Sequence, residues 1–168
     1  MEDLNGSQHL FDECKTIEEN SLYTAQAHYV LAESESKKKW IAIFIPSLLS
    51  GLAGALVAMG LPTWIGIIGA LLGAVAAIAS SLGVDQGVHS HINAGNIMTS
   101  LRHEARQLHE VFYKELSRPE FLAEVRRLAD KYNHLRLALP PTSESSFAEA
   151  RKRIHDGRFA PDFKKKSK

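Results

Sequence analysis

The chain has 168 residues, 20 Lys+Arg against 19 Asp+Glu and a mean hydropathy of −0.15, the averages of an ordinary soluble domain. They conceal three unlike parts: residues 1–39 carry a net charge of −4, residues 85–168 a net of +5, and Trp40–Val84 runs for forty-five residues without Asp, Glu, Lys, Arg or His. The +5 excess is too mild to argue for direct nucleic-acid binding, and a single cysteine, Cys14, excludes an internal disulfide.

Residues 1–39 read as a helical arm. Leu10, Cys14, Ile17, Ser21, Thr24, His28 and Leu31 recur at steps of three and four, with Glu18, Glu19, Glu33 and Glu35 elsewhere. The first twenty residues hold six acidic side chains and no apolar run, so they do not read as a signal peptide. The first hydrophobic segment is expected to direct insertion itself.

Lys37, Lys38 and Lys39 abut Trp40. Amines at the headgroups beside an indole at the interface suit the point where a helix enters a bilayer. The charge-free run then divides at Met59-Gly60-Leu61-Pro62-Thr63 into spans 40–58 and 64–84. Crossing a hydrocarbon core takes about 20 apolar helical residues, so each half can cross once, with Trp64 anchoring the return. Pro46 removes the bond to Ala42, which predicts a kink or a late helix start. The alternative is a soluble protein that stores the hairpin inside a shell of helices. Hiding a hairpin about 30 Å long needs more amphipathic helix than the rest of the chain supplies.

Residues 85–163 read as a helical domain. Val88, Ile92, Leu101, Ala105, Leu108, Phe112 and Leu116 form a stripe on an exit helix that continues the second span, with Gly87 and Gly95 as weak points. Ser117-Arg118-Pro119-Glu120 is a helix start, followed by Phe121, Leu122, Val125, Leu128, Tyr132, Leu135 and Leu139. Pro140-Pro141 stops that helix. A last helix is capped within Thr142–Ser146, carries Phe147, Ala150 and Ile154, and ends at Gly157. Residues 164–168 are a basic tail. The expected fold class is an all-α membrane protein: an amphipathic N-terminal helix, a two-helix transmembrane hairpin, a long cytoplasmic exit helix and a small C-terminal helical domain.

All twenty Lys and Arg lie outside the hairpin, so the positive-inside rule places both termini of a two-span membrane protein in the cytoplasm and only the short turn outside. Small residues repeat every four positions: Ser47, Gly51 and Ala55; Ser50, Gly54 and Ala58; Gly66, Ala70 and Ala74; Gly69, Gly73 and Ala77. Such rows let helices pack closely where lipid supplies no hydrophobic drive. They either zip one hairpin together or also join copies into a homo-oligomer. The spans hold no ionisable group, which argues against a proton relay or charge-coupled transport. A pore lined by Ser47, Ser50, Ser80 and backbone stays open as a reading.

Catalytic and metal signatures are missing. His89 and His91 are two apart, His103 and His109 six apart, and no HxxxH, HExxH or CxxC occurs. These histidines read as surface or interfacial. There is no GxGxxG, Walker motif or GxSxG, so no enzymatic activity, cofactor or metal is expected.

The whole pattern resembles the SLATT family of small two-span proteins. The residues that carry the resemblance before the spans are Glu19-Asn20-Ser21-Leu22-Tyr23-Thr24-Ala25-Gln26-Ala27-His28-Tyr29. Others are Ala53-Gly54, then Leu101-Arg102 with Glu104, Leu139-Pro140-Pro141-Thr142-Ser143 and Phe147-Ala148-Glu149-Ala150-Arg151. The resemblance implies a membrane effector of a prokaryotic anti-phage system. It would be triggered by a nucleotide second messenger or a defence-system partner protein, and would perturb the inner membrane by oligomerising. On that reading Arg102, Arg106, Arg126 and Arg127 are candidate phosphate contacts; otherwise they are a solvated face. The rival is an inner-membrane anchor or scaffold whose cytoplasmic helices recruit a partner.

Overall fold

The computed structural model describes residues 2–81 and 84–157. Among them every regular element is helical: α1 (Glu2–Ala58), α2 (Trp64–Ser81), α3 (Val84–Glu110), a 3₁₀ turn (Phe112–Lys114), α4 (Arg118–Ala138) and α5 (Glu144–His155). Packing divides the chain into a unit drawn from Met1–Val30 and His91–Lys168, and a second unit, Leu31–Ser90.

The first unit is a helical domain with its own core. From α1 it buries Cys14, Ile17, Ser21, Ala25 and His28, a stripe at steps of three and four that puts every member on one helix face. From α3 it buries His91, Ala94, Met98, Leu101, Ala105 and Leu108, and from α4 Phe121, Val125 and Leu128. Full burial of side chains the size of Met98, Leu101 or Leu128 stabilises by about 1.5–3 kcal/mol each. Phe11 closes one end, edge-on to Tyr113 at 4.9 Å and 5.1 Å from Phe121. Burial, then the neighbouring Glu13 carboxylate, push the Cys14 thiol up to about 11, so it acts as a small core hydrophobe.

Local chemistry fixes the helix ends. The Glu120 carboxylate accepts from the backbone N–H of Ser117 (2.8 Å) and from its hydroxyl (2.6 Å), tying down the start of α4. Leu139 leaves helical geometry with ψ 149°, as a residue before proline must. Ser143 caps α5 by accepting from the Ser146 N–H at 3.2 Å, and Gly157 follows the helix with φ +73°.

The second unit contains the hairpin. Its turn is a Schellman motif: Leu61 N–H bonds the Leu56 carbonyl (3.1 Å) and Gly60 N–H bonds that of Val57 (3.0 Å). Gly60 holds φ +94°, a conformation that side-chain-bearing residues rarely adopt. Two helices here are long and apolar enough to cross a membrane. Only 6% of the apolar window in α1 and 11% of that in α2 is buried.

Three expectations are sharpened. Of the two outcomes expected at Pro46, a kink or a late helix start, the late start does not occur: Pro46 lies inside one helix. Nucleation is the costly step of helix formation, so a propagating helix passes one missing bond. α3 runs unbroken through Gly87 and Gly95, and both are points of close approach. A Cβ on Gly95 would fall 2.6 Å from the Tyr29 ring, and one on Gly87 would fall 2.7 Å from a Glu35 carboxylate oxygen. The exit helix is also shorter than its stripe, ending at Glu110 and leaving Ile92 and Phe112 exposed. The join between the second span and the exit helix falls on residues 82–83, and the basic tail on 164–168, outside the described residues.

Candidate functional site

Within the hairpin unit the structure separates the small residues into two sets. Gly66 approaches Val57, Gly69 approaches Ala53 and the Ser50 carbonyl, and Gly73 approaches the Ser50 hydroxyl. A Cβ on Gly69 would stand 2.6 Å from that of Ala53, closer than two carbons can pack. With Ala76 also buried, the contact follows Ser50, Ala53 and Val57 against Gly66, Gly69, Gly73 and Ala76. Steps alternate between three and four because a helix turns every 3.6 residues, so rows of strictly four drift off the line of contact. Ser47, Gly51, Gly54 and Ala77 fall outside it and are exposed, and a Cβ on Gly51 or Gly54 would meet nothing within 4 Å.

At the expected interface Trp40 is exposed and stacks on Phe44 at 4.7 Å, and Trp64 is exposed too. Lys37 pairs with Glu33 at 2.6 Å, Lys38 is exposed, and Lys39 is half-buried.

The four candidate phosphate contacts differ in their carboxylate partners. Arg106 pairs with Glu110 at 2.8 Å, one turn along α3. Arg127 bonds Glu124 at 2.8 Å and Glu104 at 2.6 Å. Burial pushes the Glu104 carboxyl up, and its bonds to Lys131 and Arg127 more than reverse this, holding it lowered and ionised. Arg102 lies 3.8 Å from Glu18. Arg126 is exposed, with no ion-pair partner among the described residues. Three of the four thus face carboxylates, and two of these pairs, Arg102 with Glu18 and Arg127 with Glu104, join different helices.

The concave feature of the helical unit lies elsewhere. A cleft of about 450 Å³ is lined by Asn20, Thr24 and His28 of α1, Met98 of α3, and Tyr132 and Arg136 of α4. Leu139, Pro140, Pro141, Thr142 and Phe147 complete it. A second recess of about 390 Å³ shares Asn20 and Phe147 and adds Glu19, Tyr23, Arg151 and His155. The Pro-Pro stop sets this geometry, because it ends α4 abruptly and brings in α5 with Phe147 stacked on Tyr23 at 6.1 Å. Arg136 lies 5.7 Å over the Tyr132 ring.

Two histidines contradict the surface expectation. His91 is buried, with Nδ1 3.0 Å from Nδ1 of buried His28. His109 is buried with Nε2 2.8 Å from Glu18. His89 and His103 are exposed as expected. Among the described residues no group of three or more His, Cys, Asp or Glu side chains converges as a metal site requires.

The candidate set does not include Arg136 and Arg151, and local charge spacing separates them from the paired arginines though not from Arg102. Neither has a carboxylate three or four residues away on its helix, whereas Arg106, Arg127 and Arg153 each do. Comparison with family models, with curated proteins and with solved structures finds no match.

Proposed function

We propose that this chain is a two-span membrane effector: its hairpin resides in a bilayer, and its helical unit receives the signal that makes the hairpin perturb that bilayer. One observation carries the membrane part. Large apolar side chains cover the outside of both hairpin helices, with Ile67 63%, Leu71 64% and Ile78 59% exposed. A soluble protein does not leave so wide an apolar surface in water, and the rival in which a shell of helices hides the hairpin requires the opposite. The position of every Lys and Arg outside the spans supports an inner-membrane location with both termini in the cytoplasm.

The effector part rests on the resemblance to the SLATT family and on the open small-residue face. Gly66, Gly69 and Gly73 are used inside the hairpin, while Gly51 and Gly54 meet nothing and are left for contacts between copies. The trigger is a nucleotide second messenger or a partner protein acting on the helical unit. Both units draw residues from α1 and α3, so the signal has a covalent route to the spans. The setting is prokaryotic anti-phage defence, where loss of membrane integrity stops the host before the phage matures. The protein needs no catalytic residue for this.

A second reading is an inner-membrane anchor or scaffold. Its support is that the tightest small-residue face is already satisfied within one chain, which is all that an anchor needs. Induced expression with a membrane-potential dye separates the two. The effector reading expects depolarisation; a correctly inserted protein that leaves the potential intact overturns it in favour of the anchor.

A further inference from the structure

We propose that the cleft of the helical unit binds a small anionic molecule that carries a planar ring and has the size of a nucleoside monophosphate. This supplies a ligand for the trigger proposed above but rests on the cleft alone, so it stands or falls independently of what the hairpin does.

Room comes first. The cleft of about 450 Å³ lies in the range of small-molecule sites, and the adjoining recess of about 390 Å³ extends it past Asn20 and Phe147.

Charge comes second. Most arginines of this unit are committed to carboxylates: Arg106 to Glu110, Arg127 to Glu104 and Glu124, Arg153 to Glu149. Arg136 and Arg151, one in each recess, have no ion-pair partner among the described residues. No carboxylate lines the first recess, and Glu19 alone lines the second. The Tyr132 ring supports the Arg136 guanidinium from one face and leaves its N–H donors free. A planar fork of donors held this way matches a phosphate or carboxylate in a bidentate arrangement.

Apolar and polar walls come third. Tyr132, Phe147 and Pro140 give flat surfaces for a ring, and Tyr23 backs Phe147. Asn20, Thr24 and Thr142 present neutral donors and acceptors to the ring's edge. The Nδ1 of His28 is taken by His91, which leaves its Nε2 for a ligand.

The test is calorimetric titration of the full chain in detergent micelles with AMP, GMP, CMP and UMP. The matched nucleosides, inorganic phosphate, and the variants Arg136→Gln and Arg126→Gln complete it. At least one monophosphate is expected to bind with a dissociation constant below about 100 µM, and its nucleoside and inorganic phosphate about tenfold or more weaker. Arg136→Gln should weaken that monophosphate about tenfold. Arg126→Gln, which removes an exposed arginine that lies outside the cleft, should leave it unchanged. Arg136 is exposed, so unchanged helical circular dichroism verifies that its variant is folded. Binding by none of the four overturns the proposal, as does an Arg136→Gln variant that binds normally. An Arg126→Gln loss equal to that of Arg136→Gln also overturns it, because general cationic attraction then accounts for the affinity.

Discussion

His28 and His91 stand sixty-three residues apart in the chain and face each other in the core of the helical unit, Nδ1 to Nδ1, at 3.0 Å. Two neutral imidazoles satisfy this contact with opposite tautomers, one donating N–H and the other accepting. Burial, then the His91 charge, push the His28 pKa down from 6.5 to about 4. The unfolded chain therefore binds the proton first, and stability rises with pH. The contribution is complete above pH 6.5 and is lost as the pH falls from 6.5 towards 4. Between pH 7 and 5 the loss is on the order of 2 kcal/mol. Thermal unfolding of the full chain in detergent should show it, and His28→Leu should flatten the dependence. Equal slopes for the two proteins would contradict the buried pair.

The hairpin glycines should rank by what a Cβ would meet. Gly69→Ala forces its new carbon against Ala53 and the Ser50 carbonyl, neither of which can rotate away. It should cost about 1–3 kcal/mol. Gly73→Ala meets only the Ser50 hydroxyl, which can turn, so its cost is smaller. Gly51→Ala and Gly54→Ala meet nothing and leave the monomer's unfolding temperature unchanged. Helical signal in detergent against temperature reads this order. If Gly69→Ala were as stable as Gly54→Ala, the hairpin would not pack through this face.

Glu18 is an acidic residue of the arm that grips α3. It accepts from His109 at 2.8 Å and lies 3.8 Å from Arg102. Glu18→Ala leaves a buried imidazole without its partner and should destabilise by about 1–3 kcal/mol. Glu18→Gln keeps an oxygen that can accept from His109 and should recover part of the loss. The pair of denaturation curves decides it, and an Ala variant as stable as the parent would show that the contact contributes nothing.

Ser21 makes the opposite case. Its hydroxyl is fully buried and has no hydrogen-bond partner among the described residues. A buried polar group without a partner costs about 1–3 kcal/mol, so Ser21→Ala should stabilise the helical unit by about 1 kcal/mol. A lower unfolding temperature for the variant would mean that Ser21 has a partner or packs better than Ala does.

Much of this architecture is legible in the residues themselves. The turn at Gly60, the cap at Ser117, the stop at Pro140-Pro141 and the arm stripe through Cys14, Ile17, Ser21 and His28 all appear where local chemistry puts them. These depend on neighbours within a turn or two. What depends on long-range partners is not legible. Hydrophobicity alone puts the first half of the α3 stripe on Val88 and Ile92, but the buried face runs through His91, Ala94 and Met98. There the partners are His28 and the Tyr29 ring, which need a small or polar surface opposite them rather than a large apolar one. The cleft was missed for the same reason: its walls come from α1, α3, α4 and α5, and no motif spans all four. Of the arginines, Arg106 and Arg127 pair with carboxylates one turn away, whereas Arg136 lines the cleft and Arg151 the adjoining recess.

If the apolar hairpin of residues 40–81 lives in lipid, the protein partitions with membranes as an integral membrane protein. Cells expressing the full chain are lysed without detergent, and the membranes are washed with alkaline carbonate before centrifugation. The account predicts that the protein stays in the pellet and leaves it only when detergent is added. Recovery in the supernatant without detergent would contradict it, because a hairpin with this exposed apolar surface can be soluble only if something other than lipid covers it.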